Sequence, residues 1–370
     1  MINKIKNYLK KLYKIIIYNI FFLKYGSIKG IIDTKLDNRI KVNNISIEKD
    51  CSYKIYSITN GRLYTDRIHD TAIILENSII QGPSFQLRNN KNEDAKENSV
   101  FEKGTPRFVK KFKGKVLSLL TGGGGNANYW HWLYDVLPRL NIVSKILDIE
   151  KIDYFLLPSL SERFQNETLD HLKIPYKKRL SSKHARHLIA DEIIVADHPY
   201  NLLNDPLQDA DNIPGWISEW LKNSFIVDSF NKKKYSKKIY IDRSDAKSNH
   251  SKLRNITNEE EVKNILKEHS FDIVTLSNMA FLDQVHLFNN AEFVIGLHGG
   301  GFANLAFCKP NTKVLELKSY GTGKQIEYFA KKNRLIYDLI SSESSSAYSR
   351  NQLGDISVEM DILLKKIKIL

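Results

Sequence analysis

The clearest pattern along the chain is an alternation of short apolar runs with amphipathic segments, which begins near Lys237. The apolar runs have strand length, and the segments between them carry apolar residues at helical spacing. Consecutive βα units of this kind build a parallel sheet with right-handed crossovers. We therefore predict a Rossmann-like domain whose strands lie at 238–242, 271–276, 293–297, 313–317 and 335–339.

The first half of the chain has a less regular pattern. A stretch at 129–147 favours a helix that Pro138 interrupts, because proline cannot continue the backbone hydrogen bonding of a helix. Strands alternate with such segments here too, so we expect a second α/β domain. The runs that favour strands are 54–58, 71–75, 115–119, 153–157 and 192–196.

These patterns predict four segments. A basic amphipathic segment at 1–25 precedes an N-terminal α/β domain at 26–230, and the Rossmann-like domain follows at 231–345. We place the boundary near 230 because the stretch 231–238 is rich in lysine. The last segment, 346–370, carries apolar residues at helical spacing, and we expect this helix to pack back on the N-terminal domain.

Composition agrees with a two-domain globular protein. The chain has 370 residues, of which 42% are hydrophobic and 26% charged. Its two cysteines, Cys51 and Cys308, allow one disulfide at most and offer no metal-ligand spacing. Such cysteine usage favours a reducing compartment or a fold that does not depend on redox conditions, and we expect a cytoplasmic protein.

The net charge of +14 is concentrated partly at the N-terminus, where the first 24 residues contain six lysines and no acid. The apolar run 15–23 among them is shorter than the ~20 residues that span a bilayer. This combination favours an amphipathic helix that lies on an anionic membrane, at its inner face. An ordinary first helix with solvated lysines and an uncleaved signal anchor are the alternatives. We expect no nucleic acid partner, because no stacking platform or known binding motif accompanies the lysines.

A glycine-rich turn is the most informative local motif. His298 follows an apolar strand and precedes Gly299, Gly300 and Gly301, after which a helix begins that contains Asn304. Glycine lets the oxygens of a ligand approach the backbone, and the first amides of a helix attract anions. Open α/β sheets bind ligands at the carboxyl ends of their strands. The motif therefore predicts an anion site, with a buried core histidine as the alternative.

Cationic and acidic side chains follow the neighbouring strands. Arg243 comes directly after the strand 238–242, and a cationic edge suited to a diphosphate forms from Arg243, Ser244, Lys247 and Arg254. A solvated loop is the alternative. Glu316 lies in an otherwise apolar strand, so it needs a partner. That partner is either a ribose hydroxyl or a cation such as Arg243 or Lys318.

A second dense cluster follows a loop of four glycines at 122–125. His131 and Asp135 are four residues apart, so they share one face of a helix and either could act as a general base. The alternative is a histidine that completes a buried hydrogen bond. The other polar and aromatic candidates of this cluster are Asn126, Asn128, Trp130 and Arg139.

Several common motifs are missing from the sequence, including the dinucleotide fingerprint, the Walker phosphate loop, the Gly-x-Ser-x-Gly elbow, His-Glu-x-x-His and Asp-x-Asp. Arginines beside a phosphate site without an acidic metal clamp predict charge neutralisation by protein groups. We therefore expect no metal ion and no cofactor.

In this order and spacing the motifs resemble glycosyltransferase family 61. The resemblance lies in Asn128–Arg139, Ile239–Arg243, Arg254–Glu259, Gln284–Val285, and Val294–Cys308 with Val314–Leu317. Phe302 departs from the pattern, since an aliphatic residue is usual there, and residues 1–100 match no motif. The resemblance implies an α/β, GT-B-like fold, in which two Rossmann-like domains face each other across a cleft. It also implies an inverting mechanism, a nucleotide-sugar donor that is typically UDP-linked, and a polysaccharide or glycolipid acceptor.

The resemblance also assigns roles. His298, Gly299 to Gly301, Asn304 and Arg243 would hold the diphosphate, and Glu316 would take the ribose. Asp135, slightly favoured over His131, would deprotonate the acceptor, with Asn126, Asn128, Trp130 and Arg139 on the acceptor side. The alternatives are a pyruvyl transferase that acts on polysaccharide and a non-catalytic basic protein that binds membranes or nucleic acid.

Overall fold

The computed structural model describes residues 2–66, 70–88, 91–120, 127–203, 205–227, 235–244, 254–345 and 353–370. The chain divides into two compact units, Met1–Asp209 and Ala210–Leu370. The boundary between the units thus lies before the boundary near 230 that the sequence predicted. The helix Gly215–Phe225 accounts for the difference, because Phe225 packs edge-on against Phe281 and Phe307 of the second unit.

The first unit contains a ten-stranded mixed sheet with the order β1-β6-β5-β4-β12-β9-β10-β11, to which β2 and β3 are added through β12. A small hairpin of β7 and β8 accompanies it. The strands are β1 Gly30–Ile32, β2 Ile40–Glu48, β3 Cys51–Thr59, β4 Arg62–Thr65, β5 Thr71–Leu75, β6 Ser78–Ile80, β7 Gln86–Arg88, β8 Lys91–Glu93, β9 Lys110–Ser118, β10 Tyr154–Leu157, β11 Arg179–Ser181 and β12 His187–Ala196.

The long strand β12 lies at the centre of this sheet and joins two kinds of pairing. It pairs in parallel with β9, which continues in parallel to β10 and β11, while β3 and β4 pair with it antiparallel. The prediction of a Rossmann-like first domain is therefore correct only for the parallel part. The helices of this part of the chain are α1 Ile2–Tyr25, α2 Val100–Lys103, α3 Tyr129–His131, α4 Pro138–Ser144, α5 Arg163–His171 and α6 Pro206–Asp211.

The second unit contains a five-stranded parallel sheet, as the apolar runs predicted. Its strands are β13 Lys238–Asp242, β14 Asp272–Thr275, β15 Phe293–Leu297, β16 Lys313–Ser319 and β17 Ile336–Ser342. Their order, β14-β13-β15-β16-β17, changes direction between β13 and β15. Open parallel sheets bind ligands at such a switch point, beyond the carboxyl ends of the strands. The helices are α7 Gly215–Phe225, α8 Glu259–Glu268, α9 Phe281–Asn290, α10 Gln325–Lys332 and α11 Met360–Ile369.

The C-terminal helix α11 belongs to the second unit. Leu363 is fully buried in the same core as Val262 and Leu266 of α8. An ion pair of 2.6 Å between Lys366 Nζ and Asp338 Oδ2 also holds α11 to β17. The structure thus places this helix in the second unit instead of on the N-terminal domain, because its apolar side chains share the core of the second sheet. Among the described residues, no helix is long and apolar enough to cross a membrane.

Candidate active site

The glycine-rich turn lies at the switch point of the parallel sheet. His298 follows β15 and still donates its backbone N–H to Leu317 O at 2.8 Å. A short 3₁₀ helix, Gly300–Phe307, follows the turn and buries the side chains of Phe302 and Asn304. The strand, turn and helix that the sequence predicted are therefore all present.

The three glycines of the turn face different surroundings. A Cβ on Gly299 would lie 3.2 Å from Arg243 Nη1, and one on Gly301 would lie 3.1 Å from Ile241 Cγ2. A Cβ on Gly300 would meet no atom of the described residues within 4 Å. Gly301 therefore allows close packing within the protein, while Gly300 borders open space that a ligand can enter.

We expect Gly301→Ala to lower the free energy of unfolding by about 1–3 kcal/mol, because the added methyl group overpacks the contact with Ile241. Gly300→Ala should change it by less than about 0.5 kcal/mol, since its methyl group meets no atom in the described part of the protein. Urea unfolding of the two variants measures the difference. Equal losses of stability would contradict this account of the turn.

Arg243 connects the carboxyl ends of the two strands at the switch point. It follows β13, and its Nη1 donates a hydrogen bond of 2.9 Å to the carbonyl oxygen of His298. Arg254 lies beside it: burial, together with the positive charge of Arg243, lowers the pKa of Arg254 to about 10. Like charges repel when they are brought together, so this arrangement favours an anion between the guanidinium groups.

Glu316 is fully buried on β16, next to the strand that carries His298. One carboxylate oxygen is hydrogen-bonded to His298 Nδ1, the other accepts from the hydroxyl of Tyr337, and Lys318 Nζ lies 3.8 Å away. Burial and the Glu316 charge raise the pKa of Tyr337. Both oxygens already have protein partners, so in this structure Glu316 orients the imidazole of His298 instead of facing a ribose.

The other predicted donor residues have structural contacts. Ser244 donates from its backbone N–H and its hydroxyl to the carboxylate of Asp242. Asn304 donates to Gln284 Oε1 at 3.1 Å and to Gly301 O at 3.3 Å, so it holds the glycine turn in place. Lys247 lies outside the described residues.

His131 and Asp135 meet on one face of an irregular helix, as their spacing predicted. His131 ends α3, and Trp132–Val136 forms a π-helical turn before α4 begins at Pro138. Pro138 has no N–H, and π turns are frequent at functional sites. His131 Nδ1 lies 2.7 Å from Asp135 Oδ2.

The electrostatics of this pair favour a proton on Nδ1. The Asp135 side chain is almost completely buried, whereas 44% of the His131 side chain is exposed. Burial alone would raise the pKa of Asp135, but the imidazoles of His131 and His198 hold it below its usual range. The charge of Asp135 in turn raises the pKa of His131. With Nδ1–H donated to a carboxylate, the Nε2 of a neutral His131 can accept a proton.

A third member of this cluster comes from the end of β12 and was missed in the sequence. His198 Nε2 lies 3.6 Å from Asp135 Oδ2, and its Nδ1 accepts the backbone N–H of Tyr200 at 3.4 Å. Burial lowers the pKa of His198, whereas burial and the nearby Asp135 raise that of Tyr200. The position of Asp197-His198 just after an apolar strand was the available signal.

A cavity of about 430 Å³ opens beside these residues within the first unit. Its wall includes His198, Asp197, Tyr56, Asn92 and Asn201. The two asparagine side chains pair through hydrogen bonds of 3.0 and 3.1 Å. Burial raises the pKa of the Asp197 carboxyl. The cavity thus combines amide, carboxylate and aromatic groups, the mixture that binds hydroxyl-rich ligands.

Of the residues predicted beside the His131–Asp135 pair, Asn128 caps the helix, because its side chain accepts from Trp130 N at 2.9 Å. Trp130 is half-buried, with its ring 4.6 Å from that of Tyr134. Asn126 and the four glycines lie outside the described residues. The contact of these positions with an acceptor stays a prediction.

Arg139 differs from the prediction, since it is fully buried. Its Nε donates to Asp135 O at 2.7 Å, and its Nη1 donates to Ala196 O at 3.1 Å. Burial lowers its pKa to about 10. Arg139 therefore joins the irregular helix to the end of β12 and brings Asp135 and His198 together.

We expect Arg139→Leu to reduce the free energy of unfolding by about 2–4 kcal/mol, because two buried carbonyl groups lose their donor. Arg163→Leu is the matched control: the Arg163 side chain is 60% exposed and pairs with Glu167 on the same helix. Its effect should stay within about 1 kcal/mol. Urea denaturation of both variants provides the comparison, and equal effects would argue against a bridging role for Arg139.

Among the residues that the structure describes, no group of three or more His, Cys, Asp or Glu side chains could hold a metal ion. The candidate residues form two separate groups, a cationic cluster at the sheet of the second unit and a His–Asp pair in the first unit.

Comparison with known proteins identifies the family of the chain. No curated protein matches the chain. The family model described as Glycosyltransferase 61 matches residues 129–315, which is just over half of the 370 residues. The match spans the His131–Asp135 pair, Arg243 and the glycine-rich turn, and ends one residue before Glu316. The chain therefore belongs to glycosyltransferase family 61.

Proposed function

We propose that the protein is an inverting glycosyltransferase that moves a sugar from a nucleotide-sugar donor, UDP-linked, to a hydroxyl group of a cell-surface polysaccharide or glycolipid. The observation that carries the proposal is the meeting of Arg243 and His298 at the switch point of the parallel sheet, where Nη1 of Arg243 donates to the carbonyl oxygen of His298 at 2.9 Å. Ligands bind to open α/β sheets at this position.

The donor diphosphate would lie against this cationic cluster. Arg243 and Arg254 supply positive charge, and Gly300 leaves the backbone open to the phosphate oxygens. His298 Nδ1 is engaged by Glu316, so the Nε2 of His298 is the ring atom that would face the ligand. In this proposal Glu316 and Tyr337 are positioning residues. Preorganised groups that stabilise the charge on a departing diphosphate usually contribute more to catalysis than any other single effect.

The proton of the acceptor hydroxyl would pass to Nε2 of His131. The hydroxyl oxygen attacks the anomeric carbon as the bond from that carbon to the diphosphate oxygen breaks, and the bonding electrons leave with the diphosphate. Asp135 is buried and bonded to Nδ1, so it would orient the imidazole and stabilise the imidazolium. This reverses the preference for Asp135 as the base that the sequence suggested.

The acceptor would enter the cavity beside His198. The wall of this cavity includes His198, which lies next to Asp135 and so connects the cavity with the His131–Asp135 pair. Its asparagine, aspartate and tyrosine side chains suit the hydroxyl groups of a glycan. We propose that donor and base come from different units, as in the GT-B-like arrangement expected from the sequence. We also propose that the reaction needs no divalent metal, because arginines neutralise the leaving diphosphate.

Calorimetric titration with UDP, followed by measurement of UDP release from a panel of UDP-sugars with and without EDTA, tests the proposal. Saturable UDP binding and EDTA-resistant release would support it. Failure to bind UDP would contradict the donor assignment, and loss of activity in EDTA would contradict the metal-free mechanism. Thermal shifts with UDP and with phosphoenolpyruvate separate this function from a pyruvyl transferase, since only the true ligand stabilises the fold.

A further inference from the structure

The N-terminal helix α1 is attached to the first unit near its C-terminal end. Phe21 is buried, with its ring 4.9 Å from that of Phe108, and the ring of Tyr25 lies 5.0 Å from His187. The hydroxyl of Tyr25 accepts the backbone N–H of Val109 at 3.0 Å. The helix has 24 residues and is therefore about 36 Å long.

A seam of large apolar side chains runs along the other side of α1. Its members recur at spacings of three and four residues, and at 100° per residue they fall away from Phe21 and Tyr25. Each is at least 44% exposed. The seam consists of Ile5, Leu9, Leu12, Ile16, Ile20 and Leu23. A seam of this length that no other described part of its unit covers marks an interaction surface.

Positive charge borders the seam. The first 24 residues contain six lysines and no acid, and helical spacing places Lys6 and Lys24 beside one edge of the seam. Lys24 Nζ lies 5.6 Å from the centre of the Phe108 ring, and 69% of Phe108 is exposed. Aromatic and cationic side chains together favour a membrane interface.

A cationic cavity adjoins the attachment point of the helix. It has a volume of about 500 Å³, and the described residues of its wall include no acid. His187 and Phe108, which touch α1, belong to the wall together with Arg107, Lys183, His184 and Arg186. Two guanidinium groups and an ammonium group in one cavity suit a phosphate group.

We propose that the first unit binds a bilayer that contains anionic phospholipid. The seam of α1 enters the boundary between headgroups and acyl chains, the lysines contact the surface, and the cavity takes the phosphate of a headgroup. The positive charge of α1 complements an anionic bilayer better than a second copy of the chain, because two such helices would bring lysines together with no acid to pair them. This inference is independent of the proposed catalytic function.

Co-sedimentation of the full chain with vesicles tests the proposal without any sugar donor. The vesicles contain phosphatidylcholine alone or with about 30 mol% phosphatidylglycerol, and binding to the anionic vesicles should be stronger and fall with salt. Ile16→Glu and Leu9→Glu should each weaken binding about tenfold or more, because a charge enters the apolar layer. Leu36→Glu is the matched control: Leu36 is 77% exposed in the same unit but outside α1, so this variant should bind like wild type.

The cavity is tested by removing two of its cations. Arg107→Ala with Lys183→Ala should reduce binding to phosphatidylglycerol vesicles about tenfold and leave binding to phosphatidylcholine unchanged. Lys173→Ala with Lys177→Ala removes the same charge from two other exposed lysines of the unit and should have a smaller effect.

Circular dichroism checks that each variant keeps its fold. A wild-type chain that does not bind anionic vesicles at low salt would overturn the proposal, as would unchanged binding by both seam variants. Equal losses in the cavity variant and its control would overturn the headgroup site. Analytical ultracentrifugation tests whether the seam instead binds a second copy of the chain. If the protein does not bind vesicles but forms a dimer that Ile16→Glu converts to a monomer, the seam serves self-association.

Discussion

Replacement of His131 by alanine is expected to lower the rate of UDP release from the best UDP-sugar by about 10²–10⁴-fold, the usual contribution of a general base. The affinity for UDP should stay within about twofold, since His131 belongs to the first unit and the cationic cluster to the second. His171→Ala, at the end of α5, provides a control histidine outside the cluster. Single-turnover kinetics and UDP calorimetry measure the two effects separately.

Asp135→Asn separates the base from its positioning residue. The negative charge of Asp135 raises the pKa of His131, and the base works only when its imidazole is neutral. Activity of the wild type should therefore rise with pH through a pKa above the usual ~6.5 of histidine. Without the charge this pKa falls, so the acidic limb of the pH–rate profile should move to lower pH while the maximal rate drops. If Asp135 were itself the base, Asp135→Asn would abolish activity and His131→Ala would leave most of it.

The sequence predicted the second sheet more accurately than the first, and the reason is physical. The buried parallel strand β15 is apolar throughout, and in β16 the run Val314–Leu317 is apolar except for Glu316, so each appears as a short apolar run between helical segments. In the first unit, only Ile40 of β2 is buried, and the rest of the strand is partly buried or exposed. Strand β4 pairs with β5, which follows it directly, and with the distant β12. Pairing across the sheet depends on long-range contacts that no local pattern records.

The candidate site shows the same division between local and long-range information. The contact of His131 with Asp135 follows from a spacing of four residues on a helix. The approach of His198 to Asp135 depends on where β12 ends relative to that helix, which the sequence does not show. The partner of Glu316 was missed for a similar reason: the register between β15 and β16 sets Gly296 opposite Glu316, which places the carboxylate beside the following His298.

Arg243→Lys should weaken UDP binding by about 10-fold or more although it keeps the positive charge. The guanidinium group of Arg243 holds the carbonyl oxygen of His298 through Nη1, and its planar fork of five N–H donors matches the geometry of a phosphate. Lysine presents a single ammonium group and cannot keep both contacts. Arg243→Ala also removes the charge, so its UDP dissociation constant should rise about 10- to 100-fold and its rate of sugar transfer should fall about 10²- to 10³-fold.

Calorimetric titration of the Arg243 variants with UDP provides the test, and Arg334→Ala is the matched control because Arg334 is an exposed arginine of the same unit. The control should bind UDP like wild type. Urea unfolding of Arg243→Ala shows whether this variant still folds normally; the hydrogen bond to the His298 carbonyl contributes about 1–2 kcal/mol to stability. Gly300→Ala gives a second, steric test, because its methyl group would fill the open space at the turn and weaken UDP binding in a protein of normal stability. If both Arg243→Ala and Gly300→Ala bind UDP with unchanged affinity, the diphosphate does not bind at the switch point, and the proposed donor site is refuted.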